Sequence, residues 1–131
     1  MANIPAELKY SKTHEWVKLD GNVATIGISD FAQSELSDIV YVEVTAKGKT
    51  VKREDPIGTI EAVKAVSDLF SPVAGEVIEG NESLKDSPAT VNQDAYGAGW
   101  IARIKVAGPA ALDGLLDAAA YTELVEKSAH H

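Results

Sequence analysis

The chain of 131 residues contains no cysteine. That removes disulfide frameworks, thiolate nucleophiles and thiolate metal sites together. Any sulfur chemistry associated with this chain therefore needs another sulfur source. Also missing is an apolar run approaching the ~18 residues of a spanning helix, and Met1 to Tyr10 lacks the basic patch and hydrophobic segment of an export signal. The expectation is a cytoplasmic protein with no membrane partner, in which Asn81-Glu82-Ser83 is a glycosylation acceptor in form only. Positive charge is scarce: 12 Lys and Arg stand against 20 Asp and Glu, a net charge of −8 that repels phosphate backbones and anionic lipid surfaces. No nucleic-acid partner is expected. The three histidines show no metal-ligand spacing, and Gly97-Ala98-Gly99 lacks the following helix and lysine that a phosphate loop needs, so it reads as a turn. There is no low-complexity tract and no Pro- or Ser-rich linker. Residues 1–131 therefore read as one domain, with the closing His130-His131 pair set aside from functional reasoning.

What is present is the composition of a globular core, 45% hydrophobic and 24% charged. From Glu15 to Val106 short runs rich in Val, Ile and Tyr alternate with Gly, Asp, Asn or Pro, the pattern of strands and turns. Glu15 to Leu19 and Val23 to Ile28 flank Asp20-Gly21-Asn22, which tolerates a positive φ and closes a hairpin. Val23 to Ile28 is apolar on both faces, so something packs over it; Phe31 to Leu36, a helix with Ser29 or Asp30 as N-cap and Gln33 three residues after Asp30, is the expected cover. Ile39 to Val44 alternates, with Val40, Val42 and Val44 on one face. Strands follow near Thr50 to Lys52, Ile57 to Ala62, Ala65 to Phe70, Glu76 to Glu79 and Gly99 to Val106, a spacing that predicts a barrel or sandwich. Pro109 to Leu116, with Leu112, Leu115 and Leu116 at helical spacing, predicts a C-terminal helix, and Thr122 to Lys127 a second piece with Leu124 and Val125 inward. Asp55-Pro56-Ile57-Gly58 is echoed by Ser71-Pro72-Val73-Ala74-Gly75, as two related half-sheets would require. Trp16, Trp100, Tyr41, Phe31 and Phe70 read as core aromatics rather than a stacking set for a cofactor.

One segment stands apart. Two strand-like runs meet at Val63-Lys64-Ala65, which places Lys64 at the tip of a hairpin with small or apolar neighbours and no Asn-Gly turn signal. Taken alone, such a lysine is a solvated surface residue.

The surrounding blocks resemble the H protein family of the glycine cleavage system, lipoyl carriers. The resemblance runs through Lys9-Tyr10-Ser11-Lys12-Thr13-His14-Glu15-Trp16-Val17, Val23 to Gln33, Asp38 to Glu43, the Lys64 hairpin, Ser87 to Asn92 and Gly97 to Ile101. The family motif usually reads Glu-Ser-Val-Lys-Ala followed by Ser-Asp; here it is Glu61-Ala62-Val63-Lys64-Ala65-Val66-Ser67-Asp68, with Ala62 in place of the usual Ser. Thr45-Ala46-Lys47 also replaces a stretch that commonly carries Leu-Pro.

The resemblance implies a mainly β, lipoyl-domain-like barrel-sandwich hybrid with short helices and a C-terminal helical cap. It further implies that lipoic acid is attached to Lys64 through an amide, bringing in the disulfide the chain lacks. The chain would be a shuttle and not an enzyme. Its implied partners are a pyridoxal-phosphate glycine decarboxylase, an aminomethyltransferase that uses tetrahydrofolate, dihydrolipoyl dehydrogenase and a lipoylating enzyme, met one after another by a monomer. Glu15 and Asp68 match arm-contacting positions of the family, in a shallow groove; the plainer alternatives are a solvated strand-end carboxylate for Glu15 and a turn or surface residue for Asp68. A general base at His14 is disfavoured, having no Ser or Cys partner. Val63 and Ala65 beside Lys64, where biotin carriers place Met, disfavour biotin, and the absence of an Asp before the lysine and of Ala- and Pro-rich linkers disfavours a 2-oxoacid dehydrogenase module. An H-like protein that relays lipoyl groups to other acceptors remains the alternative function.

Overall fold

A computed structural model describes residues 3–129, so the His130-His131 pair lies outside the described residues. Among the described residues nine strands form two antiparallel sheets: β1 (Lys9–Tyr10), β2 (Glu15–Asp20), β3 (Val23–Ile28), β4 (Ile39–Val44), β5 (Thr50–Val51), β6 (Pro56–Ala62), β7 (Val66–Phe70), β8 (Gly75–Gly80) and β9 (Ala102–Lys105). The larger sheet has the order β1-β2-β3-β9-β8-β5 and the smaller β4-β6-β7. Between the sheets lies a core that includes Ala24, Ile26, Ile39, Val42, Ile57, Ile60, Leu69, Val77 and Ile104.

The expected β2–β3 hairpin forms, with Asp20 opposite Val23 and Gly21 at a φ of 62°, where a side chain would be strained. Helix α1 (Asp30–Leu36) starts where its capping residues require: the Ser29 hydroxyl accepts from the Ala32 amide at 3.1 Å, and Gln33 Nε2 donates to Asp30 Oδ1 at 2.8 Å. Its Ala32 and Leu36 pack against the core that β3 supplies, so the doubly apolar strand is covered as its pattern demanded.

The Pro-Gly echo corresponds to matched positions in the two sheets. Gly58 in β6 approaches its neighbour β4 so closely that a Cβ would stand 2.3 Å from the Glu43 carbonyl oxygen, and Gly75 in β8 approaches β9 so closely that a Cβ would stand 2.2 Å from the Lys105 carbonyl oxygen. Ile57 and Val73, which follow the two prolines, are both buried. The echoed segments also bond to each other, the Ser71 amide donating to the Asp55 carbonyl at 2.8 Å.

Several expectations need correction. The alternation of β4 is broken, because Ile39 faces Ala62 and Tyr41 faces Glu61, leaving Val40 as an extra residue. Ile39 and Val42 are therefore the inward pair, while Val40 and Tyr41 face solvent. Tyr41 is thus no core aromatic. Trp16 is buried, but Phe31, Phe70 and Trp100 are only half-buried. The guanidinium carbon of Arg103 lies 3.9 Å above the Trp100 ring, a cation–π contact that suits a partly wet position. Pro109 to Leu116 is not an α-helix: only Pro109–Leu112 winds, as a 3₁₀ turn, and Gly114 at a φ of 84° ends it. The helical cap is instead α4 (Ala118–Ala129), longer than the expected Thr122 to Lys127. Strand β1 and two short helices, α2 (Ser83–Asp86) and α3 (Thr90–Gln93), were not anticipated. Asn81, the formal glycosylation acceptor, is engaged: its amide donates to the carbonyls of Ala98 and Trp100 at 3.0 and 2.7 Å.

Candidate functional site

Strands β6 and β7 form one hairpin with Glu61 opposite Val66 and Ile60 opposite Ser67. The Ala62 amide donates to the Ala65 carbonyl at 2.7 Å, so Val63 and Lys64 occupy the two central positions of the turn. Neither has a positive φ, which is why the hairpin closes without an Asn-Gly pair. A second brace comes from outside the hairpin: the Val63 amide donates to the Asp38 carbonyl at 3.0 Å, fastening the tip to the start of β4. Lys64 is exposed, and so are Val63 and Val66 on either side of it, at 70% and 66% of their full surface. None of the three ion pairs among the described residues involves Lys64. The hairpin therefore presents a free amine within an apolar collar. Ala62 departs from the family motif at a buried position, its side chain lying under the tip rather than on it.

Following β7 away from the tip leads into a cavity of about 310 Å³. Ser67 and Asp68 form one wall, Thr13, His14 and Glu15 a second, and Phe31, Ala32, Glu35 and Leu36 of α1 a third, with Ile28 and Ile60 also lining it. Glu15 and Asp68, far apart in sequence, line the same cavity, and Lys64 sits on the hairpin that walls it. Asp68 is exposed, paired in the sheet opposite Thr59. Glu15 is not the solvated strand-end carboxylate of the plainer alternative: it retains 2% of its exposure.

The local sequence explains how a carboxylate is held there. His14 adopts a φ of 75°, which folds the segment before β2 back so that Ser11 reaches Glu15. The Ser11 hydroxyl donates to Glu15 Oε1 at 2.6 Å, the Thr13 hydroxyl donates to the same oxygen, and the Glu15 amide donates to Ser11 Oγ at 3.0 Å. From the opposite sheet the Phe70 amide reaches Oε2 at 3.4 Å. Burial pushes the carboxyl up to about 7, against the downward pull of these hydrogen bonds. No cation among the described residues lies within ion-pair distance of Glu15. A buried acid with hydroxyl and amide partners and no counter-charge among the described residues is a site that a positively charged group would complete.

His14, set aside from the sequence, is part of this site. Its Nδ1 lies 2.8 Å from the Tyr121 hydroxyl, and burial lowers its pKa below the ordinary imidazole value against the opposing pull of Glu35. Ser11 and Thr13 were also missed; the signal was two hydroxyls four and two residues ahead of the carboxylate. The α1 wall had no such signal, since Phe31, Ala32 and Leu36 read as cover for a strand.

The sequence profile described as Glycine cleavage H-protein matches residues 8–128. The chain belongs to the glycine cleavage H-protein family. Its relatives include the glycine cleavage system H protein of Chlorobium luteolum, 57% identical over 125 residues, with 94% of this chain and 98% of the relative covered. The glycine cleavage system H protein of Symbiobacterium thermophilum is 51% identical over 121 residues, covering 92% of this chain and 94% of the relative. Among solved structures, the crystal structure of a glycine cleavage system H protein from Mycobacterium marinum superposes with a TM-score of 0.83 at 31% identity, covering 96% of this chain and 99% of that one. The two sheets with short helices and a C-terminal helix bear out the expected mainly β fold, which the Mycobacterium marinum structure shares.

Proposed function

We propose that this chain is the lipoyl carrier of a glycine cleavage system, lipoylated on Lys64, and that it moves the aminomethyl group of glycine from a pyridoxal-phosphate decarboxylase to a tetrahydrofolate-dependent aminomethyltransferase. The observation that carries the reading is the placement of the exposed Lys64 amine on the same hairpin that walls a cavity holding a buried carboxylate with no ion-pair partner among the described residues. The lipoyl group, when bound, supplies the redox-active dithiolane that a cysteine-free chain cannot.

The chain's own residues present, shelter and release. The braced tip keeps Lys64 reachable by a second enzyme. Glu15, held by Ser11 and Thr13, gives a cationic amine a carboxylate to pair with, while Asp68 adds negative charge at the rim. Ile28, Phe31 and Leu36 make part of the lining apolar, which keeps water scarce around a labile load. On this reading the chain is a shuttle and not an enzyme, and residues 1–131 act as one carrier domain. A net charge of −8 suits brief electrostatically steered encounters with the decarboxylase, the aminomethyltransferase, dihydrolipoyl dehydrogenase and the lipoylating enzyme, with the carrier monomeric and cytoplasmic.

The test is intact mass of the chain made in lipoate-fed cells, followed by peptide mapping. One lipoyl adduct on Lys64, lost in Lys64→Arg, is expected; an unmodified wild-type chain, or an adduct elsewhere, overturns the proposal.

A further inference from the structure

Three elements meet at the hydroxyl of Tyr121, a fully buried residue of α4 whose ring stacks on Tyr10 with centroids 4.5 Å apart. The hydroxyl lies 2.5 Å from Ser29 Oγ and 2.8 Å from His14 Nδ1. Ser29 is the N-cap of α1, and His14 belongs to the turn that carries Glu15. Those are two of the three cavity walls.

The direction of the hydrogen bonds follows from donor accounting. Ser29 Oγ already accepts from the Ala32 amide. Its other contact among the described residues is Tyr121, and it is fully buried. The serine proton therefore goes to the tyrosine oxygen, since the reverse would leave a buried hydroxyl proton without an acceptor. Tyr121 must then donate its own proton to His14 Nδ1, which makes that nitrogen an acceptor and puts the ring proton on Nε2. We propose that Tyr121 is the positioning residue of the arm cavity: the backbone already joins the two walls through the Ser29 amide, which donates to the His14 carbonyl at 2.9 Å, and the phenol from the C-terminal helix adds the side-chain tie that bridges the His14 ring to the Ser29 cap and fixes His14 as the Nε2–H tautomer at the cavity wall. The lowered pKa of His14 agrees with a neutral ring. This inference rests on the carrier reading for the arm and on geometry alone for the tie.

Tyr121→Phe keeps the stacked ring and removes the tie. Tyr10→Phe is the matched comparison, because the Tyr10 hydroxyl donates to the Pro5 carbonyl at 2.6 Å and touches neither wall. Imidazole nitrogen chemical shifts on the unmodified chain should show a single Nε2–H form of His14 in the wild type and in Tyr10→Phe, and a tautomer mixture in Tyr121→Phe. In the loaded carrier, Tyr121→Phe should shed its aminomethyl group about fivefold faster, the worth of one ordinary hydrogen bond, with the rate in Tyr10→Phe unchanged. His14 spectra that are identical in wild type and Tyr121→Phe overturn the tie. A changed tautomer with unchanged shedding, or equal acceleration in both variants, overturns the positioning role. If the wild type accepts no lipoyl group, the carrier reading fails and the arm with it, while the tautomer measurement still decides the tie.

Discussion

Glu15→Gln turns the buried carboxylate into a stability measurement that needs neither lipoate nor partners. Glutamine keeps a carbonyl oxygen for the Ser11 and Thr13 hydroxyls, while its NH2 replaces the oxygen that accepts from the Phe70 amide; that offset is the same at every pH, so the pH-dependent part of the difference reports the ionisation. In the folded chain the carboxyl is pushed from an ordinary 4.5 up to about 7 by burial. The folded state thus holds a proton that the unfolded state has already released. Stability must then fall as pH rises from about 4.5 towards 7 and level off above, because ionising this acid costs more in the folded chain than in water. The size of the displacement converts to roughly 3 kcal/mol between the two plateaux. His14 contributes with the opposite sign, since a lowered imidazole pKa withdraws stability as pH falls through the ordinary value near 6.5. That contribution is common to both proteins and cancels in their difference. Urea denaturation of wild type and Glu15→Gln from pH 4 to 9 should therefore give two curves that diverge in favour of the variant by about 3 kcal/mol across the neutral range. Parallel curves would refute the account, since they would mean that Glu15 ionises in the folded chain as easily as in water.

The remaining predictions test the scaffold, the motif and the docking. Gly58→Ala should destabilise the chain by about 2 to 3 kcal/mol in the same denaturation assay, because a Cβ 2.3 Å from the Glu43 carbonyl oxygen can be accommodated only by parting β4 from β6. Ala62→Ser, which restores the usual family residue, should change the rate of lipoylation measured by mass spectrometry less than about twofold, since the side chain lies buried beneath the tip and a visiting enzyme cannot touch it. Raising salt from about 0.05 to 0.5 M should lower kcat/KM of the decarboxylase for the carrier at least twofold, and a rate indifferent to salt would reject steering by the −8 charge.

What the sequence discloses here is set by how far apart the interacting residues lie. The Lys64 hairpin, the capped start of α1 and the β2–β3 turn depend on neighbours a few positions away, so their chemistry is written in short motifs. The alternation of β4 misleads because a bulge at Val40 depends on the partner strand, which a one-strand pattern does not contain. Pro109 to Leu116 misleads for another reason. Its leucines have helical spacing, yet Gly114 takes a positive φ, and the main cap is α4, whose Tyr121 is committed to contacts with Tyr10, His14 and Ser29.

The burial of Glu15 was not legible in the sequence for a related reason. Position 15 begins a strand next to a polar run, Ser11-Lys12-Thr13, and by composition that is a solvated end. Burial arises because the positive φ at His14 folds this run back onto the carboxylate and because β7, from the other sheet, closes over it through the Phe70 amide. A carboxylate enclosed by both sheets, with no positive charge beside it among the described residues, is costly to ionise, because burial penalises its charged form. On the proposed carrier function the positive charge arrives with the cargo, and a Glu15→Gln variant that is both more stable at pH 8 and equally retentive of that cargo would leave the buried acid without a role.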